Sequence, residues 1–356
     1  MNIPVQLSTS KKPKPEFSQA GFGQYFSDHM FTTEFDGKKW INPQIIPYQN
    51  LALDPAAAVL HYGQALFEGM KAFRQKNGKV VLFRPSVNWE RMLQGADRLC
   101  MTSVPQDLFV EGIKQLVAVD ESWVPADVGQ ALYIRPTLIG SEAFLGVKPS
   151  SKYIFYVILS PVASYYKEGL SPLSIWVEEH QVRAAPGGLG AVKAGANYAA
   201  SLQAAKQARD RGHAQVLWLD VSHKYVEEVG TMNVFFIIEN AGKTEAITPL
   251  LDGTILPGNT RSSVIQLLRD LGIPCTERKV AVQEIHDWHQ AGKLKEAFGT
   301  GTAALISPMG QLTFESKVIL INDKKIGPVS QKLYDQLSGI QHGLIEDRHQ
   351  WMVPVS

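Results

Sequence analysis

The stretch PGGLGAVKAGANYAAS (186–201) sets one lysine, Lys193, among closely spaced glycines. Glycines let a backbone approach a ligand closely, and a lysine in that setting can do several kinds of work. As a phosphate-binding P-loop the pattern fails, because Gly-x-x-x-x-Gly-Lys-Ser/Thr is not matched and no hydroxyl residue follows Lys193. As a dinucleotide fingerprint it also fails, since Gly188-x-Gly190 is followed by x-x-Lys193 where a third glycine would stand. A third reading is a nucleophilic lysine that forms a Schiff base, its amine made reactive by desolvation and neighbouring cations. A solvated lysine on a flexible loop stands beside it as the plainer explanation of the same residues.

Other segments bear on the choice. TILPGNTRSSVIQLL (254–268) places Pro-Gly-Asn-Thr before a helix, where backbone N–H groups and the helix dipole favour an anion. An ordinary capped helix would look the same. FGTGTAA (298–304) is a glycine- and hydroxyl-rich turn able to present amides to a phosphate or carboxylate. VEEVGTMNVFF (226–236) carries Glu227 and Glu228, either of which could face a protonated pyridine nitrogen or simply water. Arg91, Arg135 and Arg183 are of the type used for carboxylate and phosphate recognition, or for surface ion pairs. His286-x-x-His289 has metal-compatible spacing but no third ligand nearby, and reads as a solvated helix face. No metal site is expected.

The elements that must position these residues are mixed strands and helices. GKVVLFRP (78–85), ALYIRPTLIG (131–140) and KYIFYVILSP (152–161) are strand-like. The helix from Ser86 shows an apolar side of Trp89, Met92, Leu93, Ala96 and Leu99, with Arg91 outside it. A second helix carries Leu108, Phe109, Ile113, Leu116 and Val117. Later come strands in LSIWVEEHQV, AQVLWLD, MNVFFIIEN and EAITPLL, and helices from Asn197 to Gly212, over 261–271 and near 329–341. The order is not a clean βαβα series, which favours α+β over a doubly wound sheet. The expected division is a loose arm (1–20), a first domain (21–162), a linker (163–172) and a larger second domain (173–356).

A net charge of +1 gives no reason to expect nucleic acid or a membrane surface as partner. No segment approaches the roughly 20 apolar residues of a membrane span. Cys100 and Cys275 offer neither a disulfide framework nor a thiolate site, and the N-terminus has no apolar run of a signal peptide. The expected compartment is the cytoplasm.

In their order along the chain, LHYGQALFEGMKAFR (60–74), LFRPSVNWERM (82–92), LYIRPTLIG (132–140), GAVKAGANYAASL (190–202), EEVGTMNVFF (227–236), GTILPGNTRSS (253–263) and EAFGTGTAA (296–304) resemble branched-chain aminotransferases. These belong to the fold-type IV group of pyridoxal-phosphate enzymes. The resemblance implies an α+β, two-domain fold of the D-amino-acid-aminotransferase type, with a small α/β N-terminal domain and a larger pseudo-barrel C-terminal domain. It implies pyridoxal 5′-phosphate as cofactor, branched-chain L-amino acids and 2-oxoglutarate or glutamate as substrates, and a homodimer with its active site between the domains.

By the same resemblance, Lys193 corresponds to the Schiff-base lysine and proton shuttle. Tyr198 corresponds to the phenol on the cofactor's O3′, and Glu228, not Glu227, to the carboxylate facing the ring nitrogen. Arg91, the Asn259–Thr260 backbone and Thr302 match the phosphate cup; Thr231 and Leu256 match further cofactor contacts, and Arg183 a supporting residue. Phe22, Tyr62, Phe67 and Tyr133 resemble the aromatic wall around the substrate side chain, and Val147 a residue from the neighbouring subunit. Arg135 and the amides at Thr302–Ala303 suit the carboxylates. The Cys-x-x-Cys redox switch of animal members is absent, those positions being Ala304 and Ser307. D-amino-acid aminotransferase and aminodeoxychorismate lyase share the fold and the lysine and glutamate, but the segments 60–74 and 132–140 disfavour them.

Overall fold

The computed structural model describes residues 1, 3–163 and 170–356, so the centre of the expected linker, 164–169, lies outside the described residues. The chain divides into two compact units. The first is Met1–Tyr165 with Val192–Ala196 and Ser338–Ser356; the second is Tyr166–Ala191 with Asn197–Leu337. The short segment around Lys193 and the C-terminal tail thus cluster with the first unit, although sequence order places them with the second. Backbone pairing explains both. Ala194 bridges to Leu66, Phe67 N–H donates to Lys193 O at 3.1 Å, and the strand Met352–Pro354 pairs with Val80–Phe83.

The first unit is built on an 8-stranded sheet. Its central ladder joins Ala131–Gly140 to Tyr153–Val162, ten residues each, from Ala131 opposite Val162 to Gly140 opposite Tyr153. β-Branched and aromatic side chains suit strands buried on both faces, and all but two side chains of Ala131–Gly140 are buried. The helix Gln106–Val119 lays Leu108, Phe109, Ile113, Leu116 and Val117 inward as expected. Phe109 and Phe31 meet Phe155 with ring centroids 5.8 and 6.0 Å apart. Part of the expected arm is tied to the first unit: Ile3 is buried, Ile45 N–H donates to Pro4 O, and Gln6 N–H donates to Ile45 O. Ser8 N–H donates to His29 Nε2 at 2.8 Å, and Lys12 N–H to Asp28 Oδ1 at 2.8 Å.

The second unit is a 9-stranded sheet that closes on itself. Val226–Val229, Gln215–Leu219, Leu173–Val177, Leu305–Thr313, Leu294–Gly301 and Met232–Asn240 pair in turn, and the last returns to the first. Closure removes the unpaired edges of those strands. Val177, Leu217, Val234, Phe236 and Leu312 belong to the apolar core formed there. The helix Asn259–Asp270 buries Val264, Ile265, Leu267 and Leu268 and stops before Gly272, whose φ of +70° suits a glycine. His286 is buried against Phe314, ring centroids 4.6 Å apart, while His289 is exposed. The expected solvated face therefore applies only to His289. The i, i+3 spacing does not reveal that Phe314, distant in sequence, covers one ring.

Candidate active site

In the first unit the helix Pro85–Arg98 turns an unexpected side inward. Asn88, Arg91, Met92, Gly95 and Ala96 are buried, and Leu93 is exposed. A buried guanidinium is tolerated only when its charge and hydrogen bonds are met, and Glu68 meets them. Arg91 Nε and Nη2 donate to the two carboxylate oxygens at 2.7 and 2.8 Å, and Asn88 Nδ2 donates at 2.7 Å. Burial pushes Glu68 up, but the charge and hydrogen bonds of Arg91, the charge of Lys193 and Asn88 outweigh it, so the carboxyl lies below its ordinary range. Glu68 was missed among the candidates. Its only sequence signal is its place between Phe67 and Gly69 in LHYGQALFEGMKAFR.

The same unit gathers much of the expected substrate wall. Lys193 Nζ lies 5.0 Å from the Phe67 ring centroid, and the Arg135 guanidinium 4.6 Å from the same ring. Arg135 Nη2 donates to Tyr133 Oη at 2.9 Å, and Phe22 meets Tyr133 edge-on at 4.8 Å. Gly69 is required where the chain passes Tyr133, because a Cβ there would stand 2.1 Å from the phenol oxygen. Tyr62, at the end of the helix Ala58–Tyr62, donates to Leu145 O. Val147 is 89% exposed.

In the second unit, register brings a row of polar side chains together. Glu228 pairs with Asn233, and Asn233 with Thr300, on three neighbouring strands. The Glu228 carboxylate is buried; Oε1 accepts Leu256 N–H at 2.9 Å and Oε2 lies 3.4 Å from Arg183 Nε. Asn233 Nδ2 donates to Leu256 O at 2.8 Å. The next residues enter the helix Asn259–Asp270, whose buried start has no acidic residue in its first turn. Gly258 precedes it where a Cβ would come within 2.0 Å of Asn233 Oδ1. Among the described residues, Thr300 Oγ1 is buried without a hydrogen-bond partner. Thr302 and Ala303 form the turn that follows directly, and Thr231 is exposed in the turn after Glu228. The strand Leu294–Gly301 takes in most of FGTGTAA, so the expected turn shrinks to 302–304. The glycine-rich stretch before Lys193 is tied down by side-chain hydrogen bonds. Arg183 donates to Thr254 O and, at 3.5 Å, to Gly190 O, and Asn197 Nδ2 donates to Leu189 O at 2.6 Å. Tyr198 is half-buried near the start of the helix Gly195–Asp210.

A family model described as amino-transferase class IV matches residues 65–312. This chain belongs to that family. The aminotransferase is 49% identical to branched-chain-amino-acid aminotransferase 2 of Bacillus subtilis, over 99% of this chain and 97% of that protein. It is 47% identical to branched-chain-amino-acid transaminase 1 of the same organism, over 97% and 96%. Among solved structures, the branched-chain aminotransferase of Thermobaculum terrenum, in a form titled as its PLP holo-form, is similar with a TM-score of 0.74. That match has 24% identity and covers 94% of this chain and 100% of the other. The α+β class IV aminotransferase fold, with its pseudo-barrel sheet, is thereby shown for this chain.

Proposed function

We propose that the chain is a pyridoxal-phosphate-dependent transaminase that moves the amino group of L-leucine, L-isoleucine or L-valine to 2-oxoglutarate, reversibly, by a ping-pong sequence. The observation that carries this is the second unit's buried Glu228, held ionisable by Arg183 and the Leu256 amide and in register with Asn233 and Thr300. A buried carboxylate so arranged suits a cationic ring nitrogen. The residues present fit the cofactor. The buried helix start at Asn259 carries no acidic residue in its first turn to repel a phosphate, and Thr300 Oγ1 is a buried polar atom with no hydrogen-bond partner among the described residues.

Arg91, the Asn259 and Thr260 amides and Thr302 would hold the phosphate; Tyr198, Thr231 and Leu256 would orient the ring; Lys193 would hold it covalently. When bound, pyridoxal phosphate supplies a ring that accepts the electron pair left as the substrate's Cα loses its proton. Glu228 keeps the opposing ring nitrogen protonated by its negative charge. Lys193 Nζ, which lies beside Phe67, would take the proton from the substrate's Cα and deliver it to the cofactor's C4′. Phe22, Tyr62, Phe67 and Tyr133 exclude water from an apolar side chain, Arg135 and the Thr302–Ala303 amides receive carboxylates, and a second copy supplies Val147. One methylene is worth only about 1–3 kcal/mol in an apolar pocket, so all three branched substrates are accepted. Dimerisation and a cytoplasmic location are part of the same proposal, the latter supported by two free cysteines. Among the described residues no helix is long and apolar enough to cross a membrane.

The visible spectrum of purified protein, followed by borohydride reduction and peptide mapping, tests the site. A pyridoxyl group on Lys193 is expected, and its appearance on another lysine overturns the assignment. Leucine, D-alanine and aminodeoxychorismate assayed side by side test the substrate. Turnover of only the latter two overturns it.

A further inference from the structure

The strand Val226–Val229 contains an irregularity that the chemistry above leaves unused. Consecutive side chains of a regular strand point to opposite faces, so Glu227 and Glu228 should part. Register against Gln215–Leu219 shifts between Val226 and Val229, as at a bulge, and both carboxylates reach one guanidinium. Arg183 Nη2 lies 3.7 Å from Glu227 Oε2, and Arg183 Nε 3.4 Å from Glu228 Oε2, all three side chains being buried. With both carboxylates ionised, one buried cation would face two buried anions, a costly arrangement.

Hydrogen bonding points the same way. Among the described residues Glu227 Oε2 has no hydrogen-bond partner, whereas Glu228 Oε1 accepts the Leu256 N–H at 2.9 Å. An ionised Glu227 would therefore keep a buried oxygen that no donor satisfies, while Glu228 has one. The charged groups facing Glu227 are Arg183, Glu228 and Asp252, with Lys279 beyond, 3.7 Å from Asp252.

We infer that Glu227 is a positioning residue for charge: it exchanges a proton with water while Glu228 stays ionised, and so sets how much of the Arg183 charge Glu228 bears. This rests on the assignment of Glu228 to the cofactor's ring nitrogen. With Glu227 protonated, Arg183 is committed to Glu228 and weakens it as a proton-holding partner. When Glu227 gives its proton to water, the guanidinium is shared and Glu228 holds the ring proton more firmly. Burial, opposed by Thr254 and Arg183 and reinforced by Glu228 and Asp252, pushes Glu227 up to about 7.

Holoenzyme is titrated across neutral pH by visible absorption and by infrared difference spectra with carbon-13-labelled glutamate. Wild type is expected to show a carboxyl titration near pH 7 and a spectral change with the same midpoint. Glu227→Gln should lose both while borohydride still labels Lys193, and Glu227→Asp should restore a titration at a displaced midpoint. An unchanged spectral transition in Glu227→Gln, or no carboxyl titration near neutral pH in wild type, overturns the inference. Protein without a chromophore overturns the Glu228 assignment instead, and the infrared titration then decides separately whether Glu227 exchanges its proton.

Discussion

Replacing Glu68 by glutamine removes one charge and almost no volume from a fully buried site. Its two oxygens accept from Arg91 Nε at 2.7 Å, Arg91 Nη2 at 2.8 Å, Asn88 Nδ2 at 2.7 Å and Gly69 N–H at 3.1 Å. All these partners are donors. A glutamine must therefore turn its NH₂ group toward Arg91 Nε or toward the crowded second oxygen position, and Arg91 keeps a buried charge without its counter-ion. Breaking a buried pair from one side costs about 3–5 kcal/mol. At about 2–4 °C per kcal/mol for a unit of roughly this size, the melting transition should fall by about 10 °C. Calorimetry and urea unfolding of wild type and Glu68→Gln measure this directly. The pH dependence has a defined sign. The folded carboxyl lies below its ordinary value of 4.5, so its stabilisation is complete above that pH and is lost as pH falls through the lower folded value. The two stability curves should converge in acid. A loss under about 1 kcal/mol at neutral pH, or a gap that persists in acid, would refute a charge-based role for Glu68.

Gly258→Ala should force the Asn233 side chain away, since a Cβ would stand 2.0 Å from its Oδ1, and so break the 2.8 Å bond to Leu256 O beside Glu228. Cofactor retention measured by absorbance after dialysis should weaken by about tenfold, the equivalent of one lost hydrogen bond of about 1.4 kcal/mol. Lys71 is buried, and desolvation lowers it from 10.5 to about 8. Between those values the unfolded chain binds more protons, so this group makes stability rise with pH there, by about 3 kcal/mol in all. Urea titrations should show that rise in wild type and its loss in Lys71→Met.

Local patterns were enough for the regular elements. The β-branched and aromatic run 131–140 became a strand with those same ends, and the stripe from Leu108 to Val117 became the buried side of Gln106–Val119. Both depend on repeats of polarity within one segment, which a chain displays without its neighbours. Seven ordered motifs likewise carried the family. The burial of Arg91 against Glu68, the burial of His286 and the convergence of Glu227 and Glu228 were not legible in local patterns. In each case the deciding partner is distant in sequence: Glu68 for Arg91, Phe314 for His286, Arg183 for the two glutamates.

Lys193 shows the division most clearly. Its sequence surroundings determined that a lysine would stand among glycines with a tyrosine on the following helix, and the ordered motifs determined which chemistry that implies. Only the tertiary structure decided that the lysine backbone pairs with Phe67 and that its charge helps hold Glu68 ionised beside Arg91. The physical reason is the same throughout. Whether a charge can be buried depends on the counter-charges and donors that folding brings to it, and those come from other segments of the chain.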